Sequence, residues 1–138
     1  MNRAEAVTYL ADRVGEYLSA AGRDATDAPG KTLRPIIDDA LRAMEGDFLT
    51  SGVVTDTEQV IDYQAYLVYI ALLQLSRDLG ATMINYSGGG RSYSLQAIRQ
   101  AVKEDLDRAT IALEKRVGGG LGWIDMGFLA PIPEARLI

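Results

Sequence analysis

The motif Gly30-Lys31-Thr32 matches the end of a nucleotide-binding loop pattern. In such a loop, backbone amides and the lysine hold the phosphates, and a further glycine precedes the second one by five positions. Here Ala25 occupies that position, and the residues before it have the spacing of a helix rather than of the required strand. We therefore predict that Thr32 caps a helix and that the chain does not bind nucleotides.

Two pairs of adjacent carboxylates, Asp38-Asp39 and Glu104-Asp105, have the side-chain types used in glycoside hydrolysis and in magnesium sites. Both pairs fall on predicted helices, where neighbouring side chains point about 100° apart. Neither pair is therefore able to hold one ion as a unit. We expect both pairs on solvated helix faces.

The composition removes most other catalytic chemistry. The chain has 138 residues, no histidine and no cysteine, so it lacks the commonest general base, the commonest metal ligand and any thiol nucleophile. Its 14 basic and 19 acidic residues give a net charge of −5, the wrong sign for a protein that gains affinity by neutralising phosphates. We predict a protein that is not an enzyme and that carries no cofactor and no metal.

Targeting and membrane signals are missing from the sequence. The first residues lack the charged and apolar order of a signal peptide, and no apolar run has the length of a membrane span. We therefore expect a single soluble domain, located inside the cell and not in a membrane.

Glycines divide the chain into four predicted helices and a tail, which together indicate an all-α fold. Within each helix the apolar residues recur at steps of three and four. The helices cover residues 3–21 (capped by Asn2), residues 32–45, residues 55–79 and residues 94–117, and Gly22, Gly46 and Gly80 end the first three. This pattern predicts a four-helix, bundle-like domain over residues 1–117 and a Gly/Pro-rich C-terminal arm over residues 118–138.

The third predicted helix is the long central one. Thr55 and Glu58 have the spacing of a capping box, which predicts its start. Residues 65–73 are apolar on every side of the helix, so this segment must be covered all round by protein. Tyr63, Tyr66 and Tyr69 step by three along this helix. We expect them to be core-edge residues, with hydroxyls that reach water or a backbone partner, or subunit-contact residues rather than base-stacking ones.

Residues 81–93 join the last two helices, and two structures fit their sequence. A short β-hairpin near residues 82–93 is one, and an unpaired extended loop is the other. The glycine run at residues 88–90, followed by Arg91, fits an anion cradle less well than a flexible turn.

The tail is strongly apolar but has no period. It contains nine large apolar side chains, interrupted by glycines and prolines. Either it folds back over the open side of the third helix, or it docks on a partner and orders on binding. As a partner-binding arm, it would use Leu121, Trp123, Ile124, Met126, Phe128, Leu129 and Ile132.

Charge is unevenly distributed along the chain. Residues 1–62 have 12 acids and 6 bases, whereas residues 63–138 have 7 acids and 8 bases. Such an imbalance favours head-to-tail association of copies, and solvation of both regions is the alternative. The candidate subunit contacts are Tyr66, Tyr69, Arg99, Lys103, Asp38 and Asp39.

Residues 33–117 resemble the head–tail connector proteins of tailed bacteriophages. These adaptor, or head-completion, proteins also occur in gene transfer agents. The likeness rests on the order and lengths of the elements, on the third helix from Asp56-Thr-Glu-Gln-Val-Ile-Asp onward, and on Ser92-Tyr-Ser-Leu-Gln at the entry into the last helix.

The resemblance implies a helical subunit of a homo-oligomeric ring, dodecameric in that family, that binds the portal protein and a stopper or tail protein during virion assembly. DNA would pass through the ring without specific binding, and a surplus of carboxylates fits this because like charges repel phosphates. The residues from Leu121 to Ile138 would form the arm that grips a neighbour or the portal. The particle would be the location of the protein, with the host cytoplasm as its place of assembly.

Two other functions stay open from the sequence. One is a bacterial helical interaction or regulatory module that binds a single protein partner, which gene neighbourhood would separate from a phage adaptor. The other is a small enzyme with carboxylate–Mg²⁺ chemistry, which predicts stabilisation by the metal on heating.

Overall fold

The computed structural model describes residues 1–85 and 89–117, including the side chains of residues 1–80 and 95–116. Over these residues the fold is all-α, as predicted. The helices are α1 (Arg3–Ala20), α2 (Leu33–Ala43), α3 (Phe48–Ser51), α4 (Thr57–Asn85) and α5 (Gly89–Val117). The four longer helices correspond to the four predicted ones, and the single turn α3 was not predicted.

Helix α1 begins and ends where its sequence predicts. The Asn2 side chain accepts a hydrogen bond from the Glu5 amide at 2.9 Å, and the Glu5 carboxylate accepts one from the Asn2 amide at 3.0 Å, which completes a capping box. After the helix, Gly22 adopts a φ of 71°, a left-handed conformation that glycine enters without strain. The spacing predicts an apolar stripe of Val7, Leu10, Val14, Leu18 and Ala21. Leu10, Val14 and Leu18 are buried, as predicted, but Ala6 is the fourth buried residue of the helix, and Val7 and Ala21 are only half-buried.

Thr32 occupies the N-cap position of α2, as predicted, but its side chain makes no capping bond and its backbone angles are helical. Instead, its amide and its hydroxyl both donate to the Asp24 carboxylate at 3.1 Å. An aspartate eight positions upstream thus holds the loop closed, a long-range contact that local spacing does not reveal.

The predicted capping box of the long helix is wrong, because α4 begins two residues after Thr55. The carboxylate of Asp56 accepts hydrogen bonds from the amides of Glu58 and Gln59 at 3.1 and 3.2 Å. Aspartate is a strong N-cap in its own right. It therefore displaces the threonine that precedes it.

Two further boundaries differ from the predictions. Helix α4 continues through Gly80 to Asn85, and α5 begins at Gly89. Residues 82–85 and 89–93 are therefore helical, and neither the β-hairpin nor the extended loop forms there. A glycine inside a helix costs only about 1 kcal/mol, so the backbone hydrogen bonds of a long helix outweigh it.

The helices run up and down around α4, which packs against α1, α2 and α5. The amide of Val54, just before α4, donates to the carbonyl of Met1 at 3.0 Å, and Arg23, just after α1, binds Asp78 near the other end of α4 at 3.0 Å. Helices α1 and α4 therefore run in the same direction. Arg116 at the end of α5 binds the start of α4, so α5 runs antiparallel to α4.

The core confirms that α4 is covered all round. Every residue from 65 to 73 is buried or half-buried, because α1, α2 and α5 enclose this segment. No described helix has the length and apolar content to cross a membrane. The largest fully buried side chains are Tyr63, Leu10, Leu18, Leu33, Ile37, Leu41, Leu67, Leu72, Leu75, Leu79 and Leu113.

Candidate partner-binding surfaces

Tyr66 and Tyr69, two of the three tyrosines predicted at the core edge or in a subunit contact, lie inside the folded chain. Tyr66 is 5% exposed and Tyr69 is 4% exposed. Burial raises the pKa of the Tyr66 hydroxyl. Both rings leave little surface for a neighbouring subunit, and their part in a subunit contact stays a prediction.

Tyr63, one turn earlier, is fully buried. Among the described atoms, its hydroxyl is the buried side-chain group without a hydrogen-bond partner, so the prediction that it reaches water or a backbone partner is wrong for Tyr63. Burial raises the pKa of Tyr63 to about 12. The ring therefore contributes packing to the core, while its hydroxyl is desolvated without compensation.

Asp38, a predicted subunit contact, belongs to a cluster of four charges that joins α1, the following loop and α2. Arg3 donates two hydrogen bonds to Asp27 at 2.7 and 2.8 Å and binds Asp38 at 2.9 Å. Arg34 lies 3.7 Å from Asp27. The Arg3 guanidinium holds the pKa of Asp27 below its usual range. The charge of Asp38 is thus used within the chain.

Asp39 is engaged in the same way, by Arg42 one turn later at 2.8 Å. Burial raises the pKa of the Asp39 carboxyl, and Arg42 only partly opposes this effect. The two adjacent carboxylates therefore bind different arginines. As predicted from helix geometry, they do not act as a unit.

Arg99 and Lys103, the basic half of the predicted contact, are exposed on α5. Arg116 of α5 contacts Asp62 of α4, and the two helices are antiparallel. Moving back along α5 from Arg116 to Arg99 therefore corresponds to moving forward along α4 from Asp62 to residues 75–79. Arg77 is exposed at that level. Within the described part of the chain none of these three cations has an ion-pair partner. We call Arg77, Arg99 and Lys103 the basic end of the bundle.

The opposite end is acidic, because the ends of α2 and α5 meet the start of α4 there. Arg116 at this end binds both Glu58 and Asp62, at 2.8 and 2.5 Å, so one cation is shared by two carboxylates. We call the exposed carboxylates Glu45, Asp47, Asp56 and Glu58 the acidic end.

A concave surface opens between α1 and α5 over the middle of α4. It has a volume of about 320 Å³. Val14 and Leu72 form its floor and are each 2% exposed, and Ala109 and Ala112 form its α5 wall. An alanine presents only a methyl group, so α5 leaves space where a larger residue would close it. We call this surface the α1–α5 groove; its lining residues are Arg13, Val14, Val68, Leu72, Asp105, Arg108, Ala109 and Ala112.

One rim of the groove is a hydrogen-bonded link between α1 and α5. The Tyr17 hydroxyl donates to Asp105 at 2.6 Å, and this bond raises the pKa of Tyr17 to about 12. Arg108 binds the other oxygen of Asp105 at 2.5 Å. Asp105 therefore orders two side chains at the point where α1 and α5 meet.

The loop with Gly30-Lys31-Thr32 lines an open polar pocket of about 300 Å³ next to α4. Asp24 binds Thr32 within it, and Gly30 has a φ of 78°. The hydroxyl that a phosphate-binding loop would offer to a magnesium ion is thus committed to a carboxylate. In the described segments, no group of three or more acidic side chains could hold a metal ion.

The sequence pattern does not predict the groove. Val14, Val68 and Ala109 all fall on apolar stripes, which predict burial but not the shape that three helices leave between them. The candidate arm residues 121–132 lie outside the described residues, so the arm remains a prediction. Gly88, the first residue of the predicted glycine turn, also lies outside them.

Comparisons with protein-family models, with curated proteins and with solved structures found no match for this chain.

Proposed function

We propose that this chain is a structural adaptor that assembles with copies of itself into a ring between the portal and the tail of a phage or phage-like particle. The observation that carries the proposal is the separation of the basic end from the acidic end. In a ring, each subunit joins its neighbours through two different patches of the same chain. Opposite charges on those patches favour this head-to-tail order.

The role would rest on binding and geometry rather than on chemistry. The portal protein and a stopper or tail protein would be the partners, and DNA would pass through the ring without specific binding. The net charge of −5 supports this last point, because it repels phosphates at long range. The protein would be located in the particle, and in the host cytoplasm during assembly.

Native mass measurement of the full chain, alone and mixed with the portal protein of the same genome, tests the proposal. We expect a closed complex with many copies of the chain on the portal. A chain that stays monomeric and never joins the portal would overturn the proposal.

A second candidate function is an interaction module for one protein partner, and the α1–α5 groove favours it. A concave apolar surface of this kind suits one anchoring segment of a partner. This function predicts a complex of one chain with one partner. The stoichiometry found in the same mass measurement separates it from a ring.

A further inference from the structure

We propose that the α1–α5 groove is the docking site of this chain's own C-terminal segment around Trp123. The proposal does not depend on the ring, because it concerns the single chain. It names one occupant for the groove: residues 121–128 of the same molecule.

The lining of the groove favours a large apolar or aromatic side chain. Val14, Leu72 and the methyl groups of the two alanines offer apolar contact. The guanidiniums of the two lining arginines are engaged elsewhere, that of Arg13 over the Tyr9 ring at 5.0 Å and that of Arg108 on Asp105. The apolar contact therefore favours a side chain with a large apolar area, and a tryptophan buries more than most.

The position of the groove along α5 puts it within reach of the tail. Its α5 residues, 105–112, lie about 8 to 18 Å back from the end of the helix at Val117, at 1.5 Å per residue. The six residues from 118 to 123 span up to about 20 Å when extended. Four of them are glycines, which permit the reversal of direction that the path requires.

The tail also needs such a site. Nine large apolar side chains in residues 118–138 would otherwise expose a contiguous apolar surface, which folded proteins avoid. Because a short linker joins the tail to the groove, the effective concentration of the tail at the groove is on the order of millimolar. The chain's own groove therefore outcompetes that of a second copy at ordinary protein concentrations.

The composition makes a direct test simple, because the chain has one tryptophan and no cysteine. We expect the emission of Trp123 to be blue-shifted relative to indole in water, at every protein concentration. Ala112→Arg fills the groove from an exposed position and should shift the emission to the red. The matched variant Ala97→Arg, exposed on the same helix, should leave the emission unchanged, and far-ultraviolet circular dichroism checks that both variants are folded.

A second measurement separates the chain's own tail from that of a neighbour. A nitroxide label attached to Ala112→Cys should quench Trp123 strongly, and the same label on Ala97→Cys should quench it weakly. When labelled Ala112→Cys chains that also carry Trp123→Phe are mixed with wild-type chains, we expect no quenching.

Three results would each overturn the proposal. The first is a solvent-exposed Trp123 in the wild-type chain. The second is a buried Trp123 that neither Ala112→Arg nor the label at position 112 affects. The third is quenching in the mixed sample, which would assign the groove to the tail of a second copy. A failure of ring assembly would leave all three readouts unchanged, so the two proposals are tested separately.

Discussion

At the scale of single residues, the hydroxyl of Tyr63 is the clearest local cost in the described core. It is fully buried and has no partner among the described atoms. A buried polar group without a hydrogen bond costs about 1–3 kcal/mol. The ring itself packs in the hydrophobic core, and burial of its apolar area offsets this cost.

Tyr63→Phe should therefore leave the free energy of unfolding unchanged or raise it by up to about 1 kcal/mol. Tyr17→Phe is the matched control, because it removes a hydroxyl that donates to Asp105 and should lower the free energy of unfolding by about 1 kcal/mol. Urea unfolding of both variants measures this contrast. A clear loss of stability in Tyr63→Phe would mean that the hydroxyl has a partner.

We expect loss of the charge on Asp27 and loss of the charge on Asp39 to have different effects on the free energy of unfolding. Arg3 lowers the pKa of Asp27, so the charge of this carboxyl stabilises the fold above its unfolded pKa of about 4 and is lost as the pH falls through the lower folded value. Asp27→Asn should lower the free energy of unfolding by about 1–2 kcal/mol at pH 7 and by much less near pH 2.

Asp39→Asn supplies the control for this pH dependence. Burial raises the pKa of Asp39, so its charge opposes folding at neutral pH and its neutralisation should cost little or nothing there. Urea unfolding at the two pH values measures both variants. Equal losses at pH 7 would contradict the assigned causes of the two shifts.

At the scale of elements, the start of α4 depends on one side chain. Asp56 accepts hydrogen bonds from two amides of the first turn. Asp56→Ala should lower the free energy of unfolding by about 1 kcal/mol, whereas Thr55→Ala should have almost no effect. Thermal or urea unfolding compares the two variants. A larger loss of stability in Thr55→Ala than in Asp56→Ala would mean that Thr55 caps the helix, as the sequence predicts.

Gly80 tests the continuity of α4. An added Cβ at Gly80 meets no atom within 4 Å, and the same holds at Gly22, which has a φ of 71°. Gly80→Ala should therefore raise the free energy of unfolding by about 0.5–1 kcal/mol. Gly22→Ala, with equal space but a left-handed backbone, should lower it. Destabilisation by Gly80→Ala would show that α4 ends there.

At the scale of the whole molecule, charge separation along the bundle predicts how copies associate. The basic end has exposed cations without ion-pair partners in the part of the chain that the structure describes. Reversing two of them in Arg99→Glu/Lys103→Glu should weaken self-association about tenfold, because each exposed charge contributes a few tenths of a kcal/mol or more. Raised salt should weaken the wild-type complex in the same direction.

Lys115→Glu is the control for this reversal. Lys115 is exposed near the acidic end, so its reversal changes the net charge without touching the basic end. Analytical ultracentrifugation compares the three chains at low and high salt. Lys115→Glu changes the net charge by half as much as the double reversal, so weakening in that proportion would attribute the effect to net charge rather than to the basic end.

The sequence by itself determined the all-α class, the four long helices and the central place of α4. These features depend on local periodicity and on one segment that is apolar all round, and residues 65–73 carry that information within a single helix. The capping of α1 by Asn2 and Glu5 is equally local. Such features are readable because the interacting groups are three or four residues apart.

Only the tertiary structure decided which side chains face outward as partner-binding candidates. Asp38 is held by Arg3 from another helix, Thr32 is held by Asp24 across a loop, and the α1–α5 groove exists because three helices leave a gap beside two alanines. These outcomes depend on contacts between residues far apart in sequence. Helical periodicity gives the face of each residue but not the distance to the neighbouring helix, and that distance decides whether a charge is paired and whether a surface is concave.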